Sequence, residues 1–165
     1  GTDKKMNYTM MGNDVNLAAR LEGVNKVYHT WILVSESTWL AADSGENKGK
    51  IVARRMDKVR VVGINKPVQL YNIVNLRTEM SENELKSVDF FHQGLDRYLQ
   101  RDFVNAKKYF DKADELFPET VTCYNRDGST YKENGPASVF SARCTKNITE
   151  GIPPNWDGVV NLVSK

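Results

Sequence analysis

The stretch NKGKIVARRMDKVRVVGINKPVQLYNIV, Asn47 to Val74, restricts the fold more than any other part of the chain. Val59 and Val61, then Val68 and Leu70, recur at every second residue, the spacing that lays apolar side chains along one face of a strand. GINKP falls between the two patterned runs and reads as a hairpin connection. The stretch is therefore two or three strands, and whatever surrounds it must cover their apolar face.

The sequence on either side supplies candidates for that cover. MNYTMM reads as a strand that enters a turn at Gly12-Asn13-Asp14. Asn13 or Asp14 can cap a helix there, because their side chains accept a hydrogen bond from an orphan amide. Val15, Leu17, Ala18, Leu21, Val24 and Val27 carry that helix to about Tyr28. WILVS reads as a short buried strand, and ESTWLAA as a short helix starting near Ser35 or Ser37. RTEMSENE is charged, poorly patterned and reads as a linker.

From Leu85 to Pro118 the pattern becomes helix, break, helix. Phe90, Gly94, Ala106, Phe110, Ala113 and Pro118 fall at the offsets of a tetratricopeptide repeat. Gly94 and Ala106 allow two helices to approach closely, with Phe110 filling the space between them. Tyr124, Gly128 and Tyr131 match the start of a second, weaker repeat, and GPASVFSARCTKNI would be its second helix, with Pro136 at the first helical position. The end, GIPPNWDGVVNLVSK, reads as an extended tail with a turn at Pro153-Pro154. One helix pair cannot bury its own apolar face, so the helical segment is expected to pack on the first segment, on a second copy or on a partner.

Charge and composition exclude several classes. The 165 residues carry a net charge of +2, whereas counterion-release binding to nucleic acid needs clustered cations, so no nucleic-acid partner is expected. Arg54-Arg55 reads as a charged strand edge. Cys123 and Cys144 lack metal-ligand spacing and read as buried free thiols. His29 is read as a loop residue after the first helix and His92 as a surface position. No run of about 18 apolar residues exists, so no membrane span is expected. The chain begins Gly1-Thr2-Asp3 in already patterned sequence, which reads as a fragment of a larger protein.

Asn16 and Arg20 stand at i and i+4 of the first helix and project from one face. Asn offers a neutral amide donor and Arg a fixed fork of charged donors. Together they suit an oxyanion or phosphate whose charge grows in a transition state. The competing reading is a solvated polar pair on an amphipathic helix.

The surroundings of that pair carry a resemblance. YTMMGNDVNLAARLEGVNKVYHTWILVSEST resembles the second half of the class III adenylate/guanylate cyclase catalytic domain, through Gly12, Asn13, Val15, Asn16, Ala18, Arg20, Glu22 and the run Ile32 to Glu36. RRMDKVRVVGINKPVQLYNI resembles the closing strands of the same domain, with Asp57 at a structural aspartate of the family pattern. The match covers about Gly1 to Val74. The helical repeat and the PPNWDGV tail resemble, more loosely, C-terminal extensions of bacterial membrane-anchored cyclases.

The resemblance implies an α+β fold: the C-terminal portion of a ferredoxin-like cyclase sandwich over residues 1–76, a linker at 77–84, a TPR-like helical segment over 85–150 and an extended tail at 151–165. It implies Asn16 and Arg20 as the transition-state pair, supporting the α-phosphate of ATP as the ribose 3′ hydroxyl attacks and pyrophosphate leaves. Thr9, seven residues before Asn16, stands where the family places its base-selecting residue, with ATP preferred to GTP. Two Mg2+ or Mn2+ ions serve the family reaction, held by two aspartates on earlier strands. Asp3, Asp14 and Asp57 do not replace those aspartates, so no metal site is expected in this chain. Val62 and Ile64 stand where the family carries lysines for the triphosphate. Lys66 is the remaining cation there, with a solvated hairpin lysine as its competing reading.

The implied protein is a bacterial adenylate cyclase that works as a homodimer and lies on the cytoplasmic side of a membrane-anchored parent, with a protein partner on the helices. The isolated chain is expected to be inactive. The alternative is a helical-repeat interaction module attached to a degenerate, non-catalytic cyclase remnant.

Overall fold

The computed structural model describes residues 28, 30, 32–61, 63 and 66–162. The patterned stretch forms β2 (Ile51–Val61) and β3 (Val68–Leu76), paired antiparallel across the GINKP connection. β1 (Leu33–Ser35) lies on the other side of β3, also antiparallel. α1 (Glu36–Ala42) starts where the Ser35 hydroxyl accepts the Thr38 N–H. The class is mixed α and β.

Three differences from the expected elements have identifiable causes. The tail is more than extended: after a turn at Pro154-Asn155, Val159–Leu162 forms β6 and pairs in parallel with Lys58–Val61 of β2. Asp157 starts that strand by accepting the Val159 N–H at 3.0 Å and pairing with Arg60 at 2.7 Å. The sheet order is β1-β3-β2-β6, but β6 pairs only with Lys58–Val61, so among the described residues β2 has a strand neighbour on one side alone at Arg54-Arg55; Arg54 is nevertheless enclosed, at 2 % exposure. The stretch read as a linker holds a 3-10 turn at Arg77–Glu79, and α2 (Glu82–Leu99) begins inside it because the Ser81 hydroxyl caps the Glu84 N–H.

The third difference is the expected start of a second repeat. Thr120–Tyr124 (β4) and Thr130–Asn134 (β5) form an antiparallel hairpin instead. TVTCY is β-branched and aromatic, which favours a strand, and NRDG makes the turn, with Gly128 at φ 85°. The final helix, α4 (Pro136–Glu150), does carry Pro136 in its first turn.

α2 and α3 (Phe103–Leu116) form a helical hairpin. Ser87 at the start of α2 donates to the Ala113 carbonyl near the end of α3, while Tyr98 and Phe103 meet at the opposite end. A Cβ on Gly94 would sit 2.9 Å from the Phe110 ring, so glycine is what admits that phenylalanine. Ala106 is fully buried beside it.

The helices cover the sheet. Phe91, Phe110 and Phe140, one from each of α2, α3 and α4, meet with ring centroids 5.3 Å apart in all three pairs. They join Met56, Val59 and Leu70 of the sheet in one core. Full burial of each phenylalanine contributes about 1.5–3 kcal/mol. Among the described residues, no helix is long and apolar enough to cross a membrane.

Candidate functional site

Thr9, Asn16 and Arg20 lie outside the described residues, as do His29, Val62 and Ile64. Lys66 is described and exposed at the connection between β2 and β3, with no hydrogen bond or ion pair to another described residue. Of the sequence-predicted site residues, Lys66 alone is among the described ones. What the described residues show is a polar framework around Tyr28, Arg54 and Asp57.

That framework is built by a β-bulge. Val52, Arg54 and Met56 alternate inward along β2, and then the register with β3 shifts between Arg55 and Lys58. After the shift Asp57, Val59 and Val61 are the buried positions. A bulge places an extra residue in one strand and changes which face follows, so consecutive Met56 and Asp57 both enter the core. The Gln69 amide donates to the carbonyls of Met56 and Asp57, at 2.7 and 3.2 Å, and supplies the partners that the bulged backbone lacks.

Asp57 is 2 % exposed, and both of its donors come from outside the sheet. The Tyr28 hydroxyl and Arg143 Nη1, the latter at 2.6 Å, both donate to Oδ2. Oδ1 is buried without a partner among the described residues. The Arg143 guanidinium also lies over the rings of Tyr28 and Phe140, 5.3 and 4.7 Å from their centroids. Burial, and then the Asp57 charge, push the Tyr28 phenol well above its ordinary range, so it stays a proton donor.

Arg54, three residues earlier, is enclosed with the opposite charge. It donates to Asn72 Oδ1 at 3.0 Å and pairs with Glu119, and its guanidinium faces the rings of Phe91 and Phe117. Asn72 and Glu119 line a cleft of about 270 Å³ together with Thr30, Ile32, Phe117 and Val121. Among the described residues, no Lys, Arg or His lines that cleft.

His92 is half-buried rather than at the surface. Its Nε2 accepts the Arg55 backbone N–H at 2.9 Å. Burial and then the neighbouring Arg55 charge lower its pKa from 6.5 to about 4, so it is neutral at pH 7. Cys144 is a buried thiol, pushed up to about 12 chiefly by burial, whereas Cys123 is only half-buried.

The described residues do not fit a divalent cation. Among them, no group of three or more His, Cys, Asp or Glu stands together, and Asp57, the most enclosed carboxylate, is already held by Arg143 and Tyr28.

Sequence reasoning missed the Asp57–Arg143 and Arg54–Glu119 pairs. The one available signal was Arg54 standing between Val52 and Met56 at inward strand spacing.

Two curated proteins are similar to this chain. One is the terminal-differentiation specific adenylate cyclase of Dictyostelium discoideum, 28% identical over 149 residues, which is 90% of this chain and 6% of that protein. The other is adenylate cyclase 1 of Rhizobium meliloti (strain 1021), 30% identical over 84 residues, 51% of this chain and 12% of that protein. The chain thus spans only a small part of either relative's length. Because the first match takes in 149 of 165 residues, it runs through β1, β2 and β3 and into the helices that cover them. No family model matches the chain, and no solved structure matches it.

Proposed function

We propose that this chain is the C-terminal part of a class III adenylate cyclase catalytic domain together with a helical extension that covers its sheet. The similarity to two proteins named adenylate cyclase carries the reading, one match running through sheet and helices alike. In this reading Asn16 and Arg20 donate to the α-phosphate of ATP as its charge grows, and Thr9 reads the base. The ribose 3′ hydroxyl displaces pyrophosphate and cyclic AMP is released. The metal-binding carboxylates belong to sequence outside this chain, and a homodimer supplies the two halves of each site.

Cyclic AMP formation from ATP tests the reading in two preparations: the chain alone, and the chain joined to strands that carry the missing carboxylates. The chain alone should be silent. In the joined protein Asn16→Ala and Arg20→Ala should each lower turnover by about 10²-fold or more, the loss typical of a transition-state donor. Unchanged rates overturn the assignment. A second reading, a helical interaction module on a non-catalytic remnant, is favoured by Val62 and Ile64 in the places of the family's lysines. An inactive joined protein that folds normally selects it.

A further inference from the structure

We propose that the corner between α2, α3 and the β6 side of β2 is a peptide-recognition site for a Trp-Asp-Gly-Val-Val segment. Residues 156–160 of the chain fill it, and the same segment of a second copy is their exchange partner. The site rests on contacts among described residues and is independent of the cyclase reading.

The corner reads each residue of the segment separately. The Trp156 ring meets those of Tyr98 and Phe103 edge-on, with centroids 5.5 and 5.6 Å apart. The Arg101 guanidinium lies over the same ring at 5.9 Å, and its Nη2 donates to the Trp156 carbonyl at 2.9 Å. Asp157 accepts from Arg60 Nη2 at 2.7 Å and from the Val159 N–H at 3.0 Å. Gly158 has a φ of 75°, and a Cβ there would lie 2.9 Å from Leu99 Cδ2, so backbone and space both demand glycine. Val159 and Val160 then add a parallel strand beside Lys58 and Val59, the main-chain part of strand addition.

Arg101 marks the corner as built for this purpose. Its φ of 65° is the one positive value at a non-glycine among the described residues. Arginine gains nothing from that conformation, and a turn alone would be better served by glycine. Its side chain accounts for its presence, through the Trp156 ring and the carbonyls of Trp156 and Pro154.

The segment is tethered to α4 rather than continuous with it. Gly151, at φ 76°, ends the helix, and Ile152 packs on the core. Residues 153–155 are all exposed, and Pro153 and Pro154 have no N–H to hold them in place. A segment that carries its own contacts on such a tether makes the same contacts from either copy, which is the condition for exchange.

Fluorescence anisotropy of a labelled peptide of residues 153–162 reads the site in the full chain. Gly158→Val, strained by its φ and crowded by Leu99, should release the chain's own segment and leave the corner open. That variant should bind the natural peptide about tenfold tighter, or more, than the unsubstituted chain, whose own segment competes at an effective concentration on the order of 1 mM. Adding Arg101→Gly should weaken peptide binding about tenfold, whereas a residue needed only for the turn predicts no loss. A folded Gly158→Val chain that does not bind the peptide, or binds it equally well after Arg101→Gly, overturns the site.

Disulfide trapping reads the exchange. One copy carries Lys58→Cys and the other Val159→Cys, at partner positions of β2 and β6, both with Cys123→Ser to remove the half-buried thiol. After mixing and mild oxidation, mass spectrometry should find position 58 of one copy linked to position 159 of the other. Absence of that link overturns the second copy as the exchange partner, and the trap decides this whether or not Gly158→Val folds.

Discussion

The half of β2 before the bulge encloses a cation, Arg54, and the half after it encloses an anion, Asp57, each 2 % exposed. Arg54 spreads its charge over several neighbours: Asn72 on the adjacent strand, two aromatic faces, and Glu119 in the connection after α3. Asp57 depends on two donors at a single oxygen, one of them borne by α4. In both pairs the outer partner is partly exposed, 28% at Glu119 and 23% at Arg143, and each enclosed ion keeps one buried atom without a hydrogen bond among the described residues, Arg54 Nε and Asp57 Oδ1. A buried charge with many partial partners tolerates the loss of one. A buried charge with one charged partner does not.

The largest effect should therefore follow from Arg143→Leu. It leaves Asp57 enclosed and uncompensated, a change that costs about 3–5 kcal/mol when a buried pair is broken from one side. Urea unfolding followed by circular dichroism measures it. Neutralising the orphaned acid in Asp57→Asn/Arg143→Leu should recover more than half of the loss, because the asparagine oxygen still accepts from Tyr28. A double variant no more stable than the single one breaks the comparison, since the loss would then be packing alone.

Much of the sheet was legible in the sequence, and the reasons are local. Period-two valines on both sides of GINKP mark β2 and β3, and Ser35 ahead of ESTWLAA marks a helix cap. The Gly94, Ala106 and Phe110 spacing marks the close helix pair. Features that depend on distant partners were not legible. Met56 and Asp57 look like an interruption of the strand, yet both are buried because of the bulge. Tyr124, Gly128 and Tyr131 fit a repeat by coincidence of spacing, while β-branched neighbours decide for a hairpin. Val159–Leu162 becomes a strand only because β2 has an open side. Of the candidate site, Thr9, Asn16 and Arg20 lie outside the described residues. The enclosed pair on β2 joins Asp57 to a residue 86 positions away, which no periodicity reveals.

The first half of β2 has its own test in pH. His92 accepts from the Arg55 N–H beside two arginines, so another positive charge there is opposed by burial and by Arg55. Its folded pKa is depressed from 6.5 to about 4, so between those values the unfolded chain binds a proton that the folded chain refuses. Stability should rise with pH through that window and be lost as pH falls from about 6.5 to about 4. At about 1.4 kcal/mol per unit, reduced by the partial exposure of the ring, His92 contributes about 2 kcal/mol of this loss. His92→Gln should flatten the slope between pH 4.5 and 7 in urea midpoints. An unchanged slope would assign the window to other groups and remove the claim that this half is already saturated with positive charge.

Glu119→Gln should have the smallest effect, about 1 kcal/mol, even though it removes the only carboxylate paired with Arg54 among the described residues. The glutamine oxygen can still accept from Arg54, Asn72 keeps its bond, and the Phe91 and Phe117 rings keep facing the guanidinium. Part of the remaining charge is answered by water at the mouth of the cleft that Glu119 lines. Both pairs have one partly exposed partner, 28% at Glu119 and 23% at Arg143, so salt should affect the two losses alike and the difference between them should be one of size. A Glu119→Gln loss as large as that of Arg143→Leu would mean that Arg54 depends on one partner as fully as Asp57 does. The number of partners would then not be what separates the two halves of β2.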